Sequence, residues 1–169
     1  MNLRNIILSE HSKAQTMKIV NWVGNSQTRF NELFNLFLNS EYRVTQRAAW
    51  PISYCVIDHP DFIKNHFKQL IIQLKKPGLH AAVRRNILRL LQNIEIPSQY
   101  HGELMDICFK FIEKPDEAVA VKAFSITILQ NLSAKYPQIM QEIKLIIQER
   151  WDYESSAFKS RAGKLLRIL

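Results

Sequence analysis

The stretch Cys55-Val56-Ile57-Asp58-His59-Pro60-Asp61-Phe62-Ile63 decides the fold: an apolar helical run stops at a proline, and a new apolar run starts just beyond it. The same punctuation returns at Ile96-Pro97-Ser98 and Tyr136-Pro137-Gln138, so Pro60, Pro97 and Pro137 stand 37 and 40 residues apart. Pro77 and Pro115, 38 apart, close the segments between them. Proline fits the first turn of a helix, where its missing N–H leaves no bond unmade, and Asp61 and Ser98 sit beside two of these prolines as candidate caps. A period of this length built from two helices predicts an all-α fold, an α-α superhelix. The expectation is a right-handed solenoid of about four helical hairpins plus an N-terminal partial repeat, one domain over residues 1–169.

Apolar spacing fills in the helices. In Thr28–Ser40, Leu33, Phe34, Phe37 and Leu38 fall on one stripe. Equivalent stripes run through Asp61–Lys76, Ser98–Lys114 and Gln138–Tyr153, the first helices of the later hairpins. Their partners are expected at Tyr42–Asp58, His80–Ile94, Ala118–Tyr136 and Ser156–Leu169. Before them come a short helix near Leu3–Leu8 and a second at Ser12–Val23, with Gly24 placed to end it in a left-handed turn. Pro51 lies inside a helical stretch and removes the bond to the Arg47 carbonyl, so a bend near Trp50 is expected. The third partner helix is apolar nearly all round and reads as the most buried.

Near the start of each partner helix a basic residue recurs: Arg47, Arg85, Lys122 and Arg161, spaced 38, 37 and 39. Around three of them stand Val44-x-x-Arg47-Ala48-Ala49, Val119-x-x-Lys122-Ala123 and Phe158-x-x-Arg161-Ala162-Gly163. This pattern resembles the HEAT repeat, whose second helix opens with an apolar, a basic and small residues. The resemblance covers about residues 28–169 and implies the fold and a tendency to bind macromolecules. It also implies an acid in each interhelical turn that pairs with the basic residue. Glu41, Asp116 and Glu154 stand in those places before Arg47, Lys122 and Arg161, whereas Pro77-Gly78-Leu79 supplies none.

Charge is segregated by helix type. The chain carries 23 Lys and Arg against 15 Asp and Glu, a net charge of +8. The partner-helix segments (11–24, 42–58, 80–96, 118–136, 156–169) hold 13 of the cations but only Asp58 and Glu95 among the acids. They therefore sum to +11, and the remainder to −3. In HEAT-like solenoids the second helices line the concave side, so the resemblance implies a basic concave surface. Such a surface attracts an acidic protein segment or a nucleic-acid backbone. The candidate contacts are Arg43, Arg47, Trp50, Tyr54, Arg85, Arg89, Lys122, Arg161 and Lys164. At 100° per residue, Ala48, Ala49, Ile52 and Val56 face the core, while Arg43, Arg47, Trp50, Tyr54 and Asp58 share the opposite stripe. On the next partner helix Arg85, Arg89 and Gln92 point outward.

Catalytic and cofactor signatures do not appear. GxGxxG, GxxxxGK[ST], GxSxG and HExxH are all missing, as is the SSxMPxKxNP loop of the long-helix lyases. Cys55 and His59 share a helical face without further local ligands, so no metal or cofactor is expected. Cys55 and Cys108 read as buried thiols. No apolar run approaches the ~20 residues of a membrane span, and no signal-peptide pattern opens the chain, so a cytoplasmic protein is expected. Two alternatives stand beside a non-catalytic binding module. One is a protein like the HEAT-like alkylpurine DNA glycosylases, which Asp58 beside Tyr54, Trp50 and Arg47 resembles in residue type but not in spacing. The other is self-association through the apolar end Leu165-Leu166-Arg167-Ile168-Leu169.

Overall fold

A computed structural model describes residues 2–167, with the Arg167 side chain excepted, and among these residues the regular structure is helix alone. Ten α-helices follow one another: α1 Leu3–Ser9, α2 Lys13–Val23, α3 Gln27–Asn39, α4 Tyr42–Asp58, α5 Phe67–Leu74, α6 Ala81–Leu91, α7 His101–Glu113, α8 Val119–Ser133, α9 Ile139–Arg150 and α10 Ser156–Arg167. In sequence they follow as the partial repeat α1/α2, then α3/α4, α5/α6, α7/α8, and α9 with α10, which both pack on α8. The chain divides into two compact units, Met1–Ile94 and Glu95–Leu169.

Local chemistry sets the boundaries. Asn2, Ser12 and Ser26 each accept a hydrogen bond from the backbone N–H three residues on, capping α1, α2 and α3. Gly24 ends α2 at φ 49°, its N–H on the Val20 carbonyl, a conformation that favours glycine. The Gln15 amide ties α2 back to α1 through the Ile6 carbonyl at 2.8 Å and Ser9 Oγ at 3.0 Å. Helix α4 runs unbroken across buried Pro51.

Two of the expected helices begin differently. Pro60–Ile63 and Ser98–Tyr100 form 3₁₀ turns, and α5 starts only at Phe67. The tighter turn after Pro60 sets Phe62 against Phe30 (5.0 Å between ring centroids) while His66 lies against Phe34 at 4.5 Å. Neither Asp61 nor Ser98 caps a helix; Asp61 instead pairs with exposed Lys64 at 2.7 Å.

In the first unit α4 is the hub, packing against α1, α2, α3 and α6. Its core face, Val44, Ala48, Ala49, Ile52 and Val56, is buried as the helical projection requires. Phe30, Leu33, Phe34 and Phe37 of α3 close over it. In the second unit α8 takes the central place, touching α7, α9 and α10, and α7 also meets α9. Cys55 and Cys108 are buried, and desolvation pushes both thiols up to about 12.

The second unit holds a buried ion pair. Lys122, 1 % exposed, places Nζ 2.6 Å from Glu154 Oε1 and 3.1 Å from the Pro115 carbonyl. Arg150 Nε donates to the same carboxylate oxygen at 2.7 Å and its Nη1 to the Glu113 carbonyl at 2.9 Å. The turn before α8, α8 itself, and the end of α9 are thereby fastened to one carboxylate. Removing one member of a buried pair strands the other charge. Lys122→Ala should therefore cost about 3 kcal/mol and Lys122→Met less, because it fills the same volume; in both variants Glu154 keeps Arg150. Hydrogen exchange of the α8 amides in both variants, beside urea denaturation followed by circular dichroism, checks this.

Candidate anion-binding surface

Helices α2, α4 and α6 lie side by side in the first unit, with α4 between the other two. Along their shared outward side the structure gathers His11 and Lys13 from the start of α2, Arg47, Trp50 and Tyr54 from α4, and Arg85 and Arg89 from α6. The Arg89 guanidinium lies 4.6 Å from the Tyr54 ring centroid. Hydrogen bonding from Arg89 holds the Tyr54 phenol below its ordinary pKa, and the charges of Arg89 and Lys13 act in the same direction. His11 meets Trp50 edge to face at 5.7 Å. Partial burial, then the charges of Arg47 and Arg85, push its imidazole below 6.5.

The expected contacts divide by what holds them. Arg43 and Arg85 are exposed, and neither forms an ion pair among the described residues. Arg89, Trp50 and Tyr54 are half-buried within the cluster. Arg47 is half-buried too, but its guanidinium donates to the Leu8 carbonyl at 2.7 Å and the Ile7 carbonyl at 3.3 Å, closing the C-terminal end of α1. Lys122 is no surface contact: it lies in the core of the second unit, where Glu154 and the Pro115 carbonyl compensate its charge. Arg161 and Lys164 are exposed on α10, also in the second unit.

Three expected ion pairs are replaced by others. Glu41 pairs with Arg4 at 2.6 Å, Asp116 lies 3.7 Å from Lys114, and Glu154 serves Lys122 and Arg150. Arg161 instead donates to Thr127 Oγ1 at 2.7 Å. In the second full hairpin the inward basic residue is Arg84, whose guanidinium donates to the Leu79 carbonyl. The repeat register there is one residue earlier than the 38- and 37-residue spacings suggest, which leaves Arg85 facing solvent.

Asp58 is exposed at the end of α4, where it lines a cleft of about 230 Å³ with Val20, Asn21, Gly24, Cys55 and His59. Neither Trp50 nor Tyr54 lines it. In the C-terminal run, Leu165 is buried and Leu166 half-buried, while Ile168 and Leu169 lie outside the described residues. Sequence reading passed over His11 and Lys13 as contacts; their place at the opening of a second helix, where basic residues recur, was the available signal.

The HEAT repeat domain family matches residues 3–167. The chain belongs to that family. No curated protein and no solved structure matches it. As a HEAT repeat domain the chain has the architecture of a protein-interaction scaffold, and no helix among the described residues is long and apolar enough to cross a membrane.

The two kinds of arginine separate by stability. Arg47→Ala removes charge-assisted bonds to two carbonyls and should cost about 1.5–3 kcal/mol, with faster amide exchange in α1. Arg85→Ala should stay within about 0.5 kcal/mol of the parent chain. Denaturation of the two variants side by side checks the contrast.

Proposed function

We propose that the protein is a non-catalytic binding module whose first unit docks an acidic protein segment on the basic–aromatic surface of α2, α4 and α6. The observation that carries this reading is the convergence of His11, Lys13, Arg47, Arg85 and Arg89 around Trp50 and Tyr54, none of them ion-paired to a carboxylate among the described residues. Cations crowded together without counter-charges repel one another and are relieved by an anionic partner. Half-buried Trp50 and Tyr54 hold the His11 and Arg89 side chains in place beside exposed Lys13 and Arg85.

A nucleic-acid backbone satisfies the same charges and is the second reading. Single-strand binders present aromatic faces on which bases stack. Here Arg89 already covers a face of Tyr54, and His11 engages Trp50. That occupation, together with the family's protein-interaction architecture, favours the peptide. A glycosylase-like activity has less support, since neither Trp50 nor Tyr54 lines the cleft of about 230 Å³ that Asp58 lines. The cytoplasm, where thiols remain reduced, suits the two buried free cysteines.

A Glu-rich peptide titrated by calorimetry should bind with affinity that falls steeply as salt rises. Arg85→Glu with Arg89→Glu should weaken it by at least about tenfold, on the scale of 1.4 kcal/mol per decade. Tighter binding of a duplex or single strand of equal charge would move the assignment to nucleic acid. Loss of neither ligand in the double variant would remove the surface from consideration.

The pH dependence has a definite sign. In the free protein burial, Arg47 and Arg85 hold His11 neutral below its ordinary 6.5. An acidic segment neutralises those arginines and raises the imidazole pKa, so His11 takes up a proton on binding. Affinity for the Glu-rich peptide should therefore rise as pH falls from 7.5 to 6, and His11→Gln should flatten the slope.

A further inference from the structure

We propose that the cleft between α8 and α10 of the second unit, where Arg161, Lys164, Ser160, Thr127 and Gln130 converge, binds a phosphomonoester group. The proposal is independent of the acidic-segment reading, which concerns the first unit.

Helical register builds the cleft. Ala157, Ser160, Arg161 and Lys164 follow one another at i, i+3, i+4 and i+7, one continuous face of α10. Thr127 and Gln130 are one turn apart on α8, which packs against α10. Together these six residues line an opening of about 650 Å³, the size of a small-molecule site. Ala157 is the only lining residue without a polar side chain, and its small volume leaves room above the backbone.

The charge arrangement selects the ligand. Neither α8 nor α10 carries an aspartate or glutamate over its described length. Glu154, the acid placed by sequence to neutralise Arg161, is held instead by Lys122 and Arg150. Arg161 is left oriented by a neutral partner, its Nη1 donating to Thr127 Oγ1 at 2.7 Å. Thr127 in turn donates to the Ala123 carbonyl at 3.2 Å, which fixes its hydroxyl as the acceptor. The guanidinium is thus aimed with donors to spare, and a guanidinium fork matches phosphate oxygens. Lys164 adds a second positive charge, and Ser160 and the Gln130 amide add neutral donors. Two cations match a phosphomonoester, which carries about −1.5 to −2 at pH 7, better than a diester with a single charge.

The test is an amide chemical-shift titration of the full chain with O-phosphoserine, dimethyl phosphate and a phosphoserine peptide. Saturable shifts at Thr127, Gln130, Ser160 and Arg161 with phosphoserine, and none with the diester, are expected. Arg161→Gln should weaken binding about tenfold, as for loss of a charge-assisted bond. Lys164→Gln should weaken it as well, and Arg85→Glu with Arg89→Glu should leave it unchanged. Affinity should fall below pH 6, as the phosphate dianion takes up a proton and becomes a monoanion, opposite in sign to the first unit's response. Tighter binding of the peptide than of the free amino acid places the phosphate on a protein partner; equal affinity places it on a small molecule. Unsaturable shifts, equal response to the diester, or full binding by a folded Arg161→Gln chain would overturn the proposal.

Discussion

Each second helix of this protein opens with a cation, and in three of the four hairpins that cation donates to backbone carbonyls. Arg47 holds Ile7 and Leu8, Arg84 holds Leu79, and Lys122 holds Pro115 together with the Glu154 carboxylate. Carbonyls at a helix end or in a turn lack intrahelical donors. A long basic side chain from the next helix supplies them without breaking the packed interface. The requirement is strictest at Lys122, since a charge in a core is tolerable only when paired and hydrogen-bonded. Three segments of the second unit meet there.

That commitment decides which cations remain for binding. The 13 basic residues on the second-helix segments look alike as a tally, yet the described ones divide: Lys135 pairs with Glu95 at 3.8 Å, and most of the others do one of three kinds of work. Some fasten turns. Others, such as Arg89 over Tyr54 and Lys159 near Trp151 at 5.9 Å, lie on aromatic rings. A third group, with Arg85 and Lys164 in it, is exposed and has no ion pair among the described residues. The acids are drawn to the turns, where Glu41 and Glu154 answer cations of other elements. Each unit is consequently left with its own uncompensated positive face: one rich in aromatic rings on α2, α4 and α6, the other rich in hydroxyls on α8 and α10.

Much of the fold was legible in the residues. Pro60, Pro97 and Pro137 mark the hairpins because each stands just before or at the first turn of a helical segment, where the missing N–H leaves no bond unmade. The stripe Leu33, Phe34 and Phe37 and the face Ala48, Ala49, Ile52 and Val56 are buried because helical periodicity puts them on one side. Gly24 ends α2 because its positive φ favours a residue without a side chain. The pairing of charges was not legible. Glu154 is seven residues before Arg161 in sequence but bonds Lys122, 32 residues away, since the turn of one hairpin lies over the helix of the one before. The register of Arg84 over Arg85 was equally hidden: both are basic, and only packing determines which of two adjacent arginines turns inward.

The sequence by itself determined the helical hairpins, their order and the excess of positive charge on the second helices, because these follow from local spacing and composition. The tertiary structure alone decided which cations are buried, which cap a neighbouring element and which stay open to a partner. The reason is one of range: helix formation reads contacts three and four residues apart, whereas the compensation of a charge depends on whichever distant carbonyl or carboxylate the packed chain brings within 3 Å.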